Sequence, residues 1–297
     1  MAQVLTLIAG PGTELEEPVI AAARATIKEA GAEPGALSWL SPATACDIPF
    51  GGAEPRSVEL ALRPRLAGLR VDLAAQPAER RRKRLLLADM ESTIVTRELT
   101  DELAALAGMG ERIAAMTAAS MRGEIDFAGS LRARIALLKG QPAALLERVK
   151  ELVELSPGAR ALVQTMKAHG ARTALVSGGF DIFTAIAAPA CGFDEHHANH
   201  LILSGGELRG EVAEPILDRF AKRAILERLA SELAATPAEA AAIGDGANDI
   251  PMIEAAGLGV AYRGKPKVAA AARFRLDHAD LTGLLYLQGY RSEEFHK

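Results

Sequence analysis

The stretch Leu85-Leu86-Leu87-Ala88-Asp89-Met90-Glu91-Ser92-Thr93 decides the fold of this chain. A continuous apolar run followed by turn-forming residues is typical of a buried strand in a parallel sheet. The strand ends in two carboxylates, Asp89 and Glu91, on the side of the sheet where open α/β folds bind their ligands. Two acids this close repel each other unless a cation or a bound proton relieves the repulsion. We therefore expect the rest of the chain to supply partners for this pair.

Length and composition indicate a globular chain of one large domain or two smaller ones. Of its 297 residues, 49% are hydrophobic, enough for a sizeable core, and 24% are charged. The net charge of −4 argues against a nucleic-acid partner. The first ten residues lack the basic and apolar regions of a signal peptide, and no apolar run is long enough to cross a membrane. With only Cys46 and Cys191 and no redox spacing, we expect a cytoplasmic protein.

The N-terminal quarter of the chain has the pattern of a small α+β domain. Residues 1–75 follow a βαββαβ-like order and contain no acids, histidines or serines at catalytic spacing, so we expect an accessory or regulatory domain. The basic run 79–84 follows it. Because the chain is acidic overall, we interpret 76–84 as a solvated linker and not as a nucleic-acid patch.

The remaining chain has the pattern of a parallel-sheet core interrupted by helices. Strand and helix patterns alternate from residue 172 onward, which predicts an α/β, Rossmann-like core formed by 85–97 and 161–297. Segment 98–160 is predicted to be an inserted helical cap. Its helical patterns, separated by glycine and proline, lie at 98–107, 111–119, 127–139 and 143–152.

Polar residues follow several of the predicted strands or lie on predicted helices. In the segment 244–249 two glycines allow close approach of a ligand, and two acids can hold a hard cation. Arg134 shares an apolar helix face with Phe127, so its guanidinium needs either an anionic partner or an exit to water. Taken singly, each of these features is also common in caps, turns and solvated surfaces. The candidates are Ser177 with Gly178, Lys222, and Asp245 with Asn248 and Asp249.

Taken together and in this order, the motifs resemble those of the haloacid dehalogenase-like phosphatases. The surrounding residues are similar to members that act on phosphoserine, and the resemblance covers about residues 83–285. Residues 1–75 resemble the ACT-type extension of longer bacterial members, so we expect an ACT-like domain there. The matching motifs are Asp89–Thr93 with Glu98, Met121–Phe127 with Ser130–Arg134, Val176–Phe180, Ala221-Lys222, and Gly244–Asp249.

The resemblance implies a catalytic role for each acid of the site. Asp89 is implied to be the nucleophile that forms an aspartyl-phosphate, and Glu91 the acid and base that serves the leaving alkoxide and the attacking water. A Mg²⁺ ion is implied to be held by Asp89, Asp245 and the Glu91 backbone carbonyl, with Asp249 acting through water. The groups implied to contact the phosphate or the substrate are Lys222, Ser177, Gly178 and Asn248.

The cap residues indicate the substrate. Arg134 suits a carboxylate, Glu98 an ammonium group, and Phe127 a short carbon skeleton. Phosphoserine carries all three features, and its hydrolysis is the last step of serine biosynthesis. Two alternatives stay open. One is a phosphatase or phosphotransferase acting on another small phosphomonoester such as phosphohomoserine, and the other is a catalytically weakened amino-acid sensor.

One residue departs from the family pattern. The family normally has aspartate where this chain has Glu91, so the carboxylate arm is one methylene longer. A displacement of about 1 Å in a catalytic group can cost on the order of 10²-fold in rate. Either the backbone adjusts, or the enzyme is slow, or the role has changed. The histidines at 196, 197 and 200 lack zinc spacing, and the oligomeric state, a homodimer included, stays open.

Overall fold

The computed structural model describes residues 2–122 and 126–296. The N-terminal unit is an antiparallel sheet in the order β2-β4-β1-β5, with β3 paired to β4. The predicted order of strands and helices is confirmed, with a two-residue strand, β2, added. Leu5, Leu7 and Ile27 form its core between sheet and helices. The elements are β1 Gln3–Ala9, α1 Glu17–Glu29, β2 Glu33–Pro34, β3 Ser38–Ser41, β4 Ala45–Gly51, α2 Pro55–Leu62 and β5 Val71–Pro77.

The basic run that follows this unit is not a solvated linker throughout. The side chain of Arg81 is only 10% exposed, and it pairs with Asp47 at 2.6 Å. It also donates to Thr6 and to the backbone carbonyls of Tyr286 and Leu287. The prediction of a solvated segment is therefore wrong for Arg81, because its partners come from β1, β4 and the C-terminal helix.

Replacing Arg81 with methionine should cost about 3 kcal/mol of unfolding free energy, because it leaves Asp47 buried without its cation. The matched control is Arg82→Met in the same basic run. Arg82 is 45% exposed and pairs with Glu294, so its loss should cost about 1 kcal/mol or less. Denaturant unfolding of both variants tests this. Equal losses would show that Arg81 contributes no more than a surface ion pair.

The rest of the chain forms the core, the cap and a hairpin. The cap helices confirm the four helical patterns predicted for 98–152. The division of the chain into domains at residues 75, 84, 97 and 160 stays a prediction. In chain order the elements are β6 Leu85–Ala88, α3 Leu99–Leu106, α4 Gly110–Arg122, α5 Phe127–Ala136, α6 Ala144–Lys150, α7 Ala159–Ala168, β7 Arg172–Phe180, α8 Asp181–Cys191, β8 Glu195–Asn199, β9 Leu201–Ser204, β10 Glu207–Val212, α9 Arg219–Glu232, β11 Ala240–Gly244, α10 Ile250–Ala255, β12 Leu258–Tyr262, α11 Pro266–Ala271, β13 Phe274–Leu276 and α12 Gly283–Leu287.

The core sheet is parallel and has the strand order β13-β12-β11-β6-β7-β8. Strand β6 is central and completely buried, as its apolar run predicts. The amide of Asp89 continues the pairing by donating to the carbonyl of Ile243 at 2.9 Å. The carboxyl ends of β6, β7 and β11 therefore lie side by side, and the residues that follow them meet at one edge. The expected α/β class, with an inserted helical cap and a preceding α+β unit, is confirmed.

A β-hairpin of β9 and β10 connects the core to the cap. Three backbone hydrogen bonds of 2.8–2.9 Å join it to the loop between α5 and α6: Gly140 and Leu208, Leu208 and Gln141, and Ala143 and Gly206. β8 ends at Asn199 in the core sheet, and β9 begins at Leu201, two residues later. The cap is therefore attached to the hairpin by backbone hydrogen bonds, in addition to its covalent connections to the core.

Within the described part of the chain, no helix combines the length and apolar character needed to span a bilayer.

Candidate active site

Three buried carboxylates and one buried lysine form the centre of the site. The ligand oxygens of Asp89, Asp245 and Asp249 lie within 4.8 Å of one another. Lys222 on α9 is 1% exposed and donates to Asp89 at 2.5 Å and to Asp249 at 2.6 Å. The structure thus brings together four residues that come from three separate parts of the sequence.

Burial and mutual repulsion make this cluster favourable for a cation. Burial, then the neighbouring Asp249, raises the pKa of Asp89 well above its usual range, against the opposing charge of Lys222. Burial also raises the pKa of Asp245 to about 6. A divalent ion with a preference for oxygen ligands would relieve both effects. The donor set therefore fits a divalent metal.

The loop after β11 is shaped by a close approach of side chain to backbone. A Cβ atom on Gly244 would lie 2.4 Å from the carboxyl carbon of Asp249, so glycine is required there. The amide of Gly246 donates to Oδ2 of Asp249 at 3.0 Å, which fixes that carboxylate. The side-chain amide nitrogen of Asn248, the preceding residue, lies 3.4 Å from Oδ1 of Asp249. The predicted turn therefore directs Asp249 back into the cluster.

Glu91 is held by the first cap helix. Its Oε1 accepts hydrogen bonds from the amide (2.8 Å) and the hydroxyl (3.2 Å) of Thr100. A Cβ atom on Gly179 would lie 2.9 Å from Oε2 of Glu91, so the carboxylate lies directly against β7. Burial, then the charge of Glu98, raises the pKa of Glu91 to about 7. The longer arm thus reaches a defined position and carries a proton near neutral pH.

The end of β7 contacts both the acids and the cap. Strand β7 continues through Phe180, so Ser177 and Gly178 lie within it and not in a turn after it. Oε2 of Glu91 and Oγ of Ser177 lie 2.9 Å and 3.2 Å from the position that a Cβ atom on Gly179 would take. A Cβ atom on Gly178 would lie 3.0 Å from the ring of Phe127, which places the start of α5 over this strand.

Arg134 lies in the cap, apart from the core acids. It donates to the hydroxyl of Thr117 at 3.4 Å, and its Nε is buried without a hydrogen-bond partner among the side chains and backbone groups that the structure describes. No hydrogen bond or ion pair joins it to the core residues of the site in that same part of the chain. The cap motif around it includes residues 123–125, which lie outside the described residues. A buried guanidinium nitrogen without an acceptor is a candidate for anion binding.

Lys265 is a site residue that the sequence analysis missed. Its Nζ lies 3.1 Å from Oδ2 of Asp245 and 3.1 Å from Oε1 of Glu98. Glu98 also accepts a hydrogen bond from Ser92 at 3.0 Å. One signal pointed to it: Lys265 closely follows a parallel strand, β12, as Asp89 follows β6 and Asp245 follows β11.

The three histidines of the hairpin region do not share a site. Nδ1 of His196 lies 2.8 Å from the Thr184 hydroxyl, whereas His197 pairs with Glu195 and His200 with Asp181. Each ring therefore has a separate partner.

Comparisons with known proteins agree with this geometry. Residues 83–257 match the haloacid dehalogenase-like hydrolase family. A phosphoserine phosphatase of Streptomyces coelicolor is 39% identical over 293 residues, which cover 97% of this chain and 72% of that protein. The crystal structure of a probable phosphoserine phosphatase from Vibrio cholerae has a TM-score of 0.77 and 30% identity, covering 99% of this chain and 88% of the other. A phospho-aspartyl intermediate analogue of phosphoserine phosphatase has a TM-score of 0.65 and 36% identity, covering 69% and 98%.

Proposed function

Since the chain belongs to the haloacid dehalogenase-like hydrolases, we propose that it hydrolyses O-phospho-L-serine to serine and phosphate, the last step of serine biosynthesis. The observation that carries this proposal is the pairing of Asp89 with Lys222 at the end of β6, two residues before Glu91, whose carboxyl group can carry a proton. The phosphoserine phosphatase names of its relatives support the choice of substrate.

Asp89 is suited to attack phosphorus because one of its oxygens is fixed while the other is available. Oδ1 accepts the hydrogen bond from Lys222, and Oδ2 accepts none in the described part of the chain. Attack forms a bond between Asp89 and phosphorus and breaks the bond to the serine oxygen, giving an aspartyl-phosphate. Ser177 and the Gly178 amide donate to the phosphoryl oxygens, and Lys222 balances their charge.

Glu91 moves the proton in both half-reactions. In its protonated form it donates to the departing serine oxygen, and in its ionised form it accepts a proton from the water that cleaves the aspartyl-phosphate. A pKa of about 7 makes both forms accessible near neutral pH. Thr100 holds the carboxyl group in one orientation for both steps.

We assign the metal as Mg²⁺, which Asp89, Asp245, Asp249 and the Glu91 backbone carbonyl would hold. When bound, it would neutralise the acids and orient the phosphate oxygens. In the cap, we assign Arg134 to the carboxylate of the substrate, Glu98 to its ammonium group and Phe127 to its carbon chain. In the core, we assign Asn248 to the phosphate end of the substrate. We place the reaction in the cytoplasm, because Cys46 and Cys191 are both free and buried.

Phosphate release from a substrate panel tests the proposal. With Mg²⁺, turnover of L-phosphoserine should exceed that of phosphoethanolamine, which lacks the carboxylate, and of 3-phosphoglycerate, which lacks the ammonium group, by at least about tenfold. Chelation of the metal should remove the activity. Faster release from phosphohomoserine, or transfer to homoserine, would support the alternative substrate. Absence of phosphate release from every member of the panel would contradict the proposal that the protein is a phosphatase.

A further inference from the structure

We propose that the ammonium group of Lys265 competes with the divalent ion for the carboxylate of Asp245. When the ion binds, the ammonium group stays paired with Glu98. The inference rests on the proposed function, since it concerns the same metal site. It starts from the charge balance of the cluster: each of its three acids already has a lysine partner, namely Lys222 for Asp89 and Asp249, and Lys265 for Asp245.

The two lysines differ in how freely they can move. Lys222 is 1% exposed and lies between two carboxylates, so it is fixed inside the cluster. The side chain of Lys265 is 43% exposed and reaches Asp245 from the rim of the site. The backbone amide of Lys265 donates to the carbonyl of Asp245 at 2.9 Å, so the loop stays in place whichever way the side chain turns. Of the two lysines, Lys265 is therefore the one whose ammonium group can move away from the acid cluster.

The carboxylate of Asp245 cannot bind the Lys265 ammonium group and a metal ion equally strongly at the same time. Its Oδ2 is paired with Lys265, and among the described residues its Oδ1 has a long contact of 3.5 Å with the Thr93 hydroxyl. A metal ion on the same carboxylate would bring a second positive charge close to the ammonium group, and like charges repel. Binding of the ion therefore weakens the contact between Lys265 and Asp245.

Glu98 gives Lys265 a second partner, so the displaced ammonium keeps one carboxylate. Both contacts are 3.1 Å long in the same structure, so Lys265 can release Asp245 without moving into bulk water. Glu98 lies at the start of α3, where the chain enters the cap. Occupancy of the metal site is thereby linked to the residue assigned to the substrate's ammonium group.

The test is Mg²⁺ affinity, measured by calorimetry on chelator-treated, full-length protein without substrate. Lys265→Met should bind Mg²⁺ on the order of tenfold more tightly than wild type, because a competing positive charge is gone. Lys265→Arg, which keeps the charge, should stay within about threefold of wild type. The matched control is Lys267→Met, an exposed lysine two residues away, which should change the affinity less than about twofold.

A second readout is the Mg²⁺-induced rise in melting temperature, which should be larger in Lys265→Met than in wild type. Lys265→Gln gives the same comparison if methionine impairs folding. Unchanged or weaker Mg²⁺ binding in the neutral variants overturns the inference. Phosphate release by wild type tests the proposed function separately, because affinity is measured without turnover. A wild type that binds no Mg²⁺ overturns the assigned metal site and this inference with it.

Discussion

Replacing Asp89 with asparagine should lower phosphate release by about 10⁴-fold or more, because the amide removes the nucleophile. The substitution keeps the shape of the side chain, and Lys222 retains its contact with Asp249. We therefore expect the variant to fold. Asp277→Asn is the matched control, since Asp277 forms its ion pair with Arg275, outside the site. Initial rates with L-phosphoserine measure the effect, and the control should keep wild-type activity.

A covalent readout separates loss of the nucleophile from general damage to the site. Each protein is exposed briefly to phosphoserine that carries the label in its phosphoryl group, and the reaction is quenched with acid. The wild type should retain label on the chain, whereas Asp89→Asn should retain none. Label on the asparagine variant would show that another residue attacks phosphorus. Residual turnover within tenfold of wild type would exclude Asp89 as the nucleophile.

Replacing Glu91 with glutamine should lower turnover by about 10²- to 10⁴-fold, because the amide cannot donate or accept the catalytic proton. Glu91→Asp should keep or raise turnover, since it restores the carboxyl group and the arm length usual in the family. It should lose the hydrogen bonds to Thr100 and melt at a lower temperature. An inactive aspartate variant beside a fast wild type would show that the site geometry differs from that of the family.

The pH profile gives a second measure of the same residue. Since Glu91 must be protonated to donate to the leaving oxygen, kcat/KM should fall above about pH 7, where it loses that proton. The residual activity of Glu91→Gln should lack this decline. Ionisation of the substrate affects both proteins equally, so the difference between the two profiles belongs to Glu91. Identical profiles would show that this carboxyl group does not titrate in the reaction.

The sheet and the cap were predictable because their signals are local. The apolar run 85–88, followed by turn-forming residues, is typical of a buried strand, and the cap helices repeat their apolar residues at helical spacing. The order of polar residues at strand ends then placed Asp89, Ser177 and Asp245 at one edge. Parallel strands bring their carboxyl ends together whatever the loops between them do.

What the sequence could not predict depends on contacts between distant segments. Lys265 stands before a proline at a helix start, which is typical of a surface lysine, and its partner Glu98 lies 167 residues away. Arg81 lies in a run of charges, and its burial depends on Asp47 in the N-terminal sheet. The continuation of β7 through its glycines depends on Phe180, which pairs with Asn199 of β8 after a register shift. Glycine alone predicts an end to the strand.

The attachment of the hairpin to the cap adds a second link between the cap and the core. The cap's two connections to the core pair with each other through Val95 and Leu155, and the base of the hairpin is closed by a hydrogen bond between Ala213 and His200. The cap is thus linked to the core at two separate places, through its own paired connections and through the hairpin. A displacement of the cap relative to the core would have to change both links.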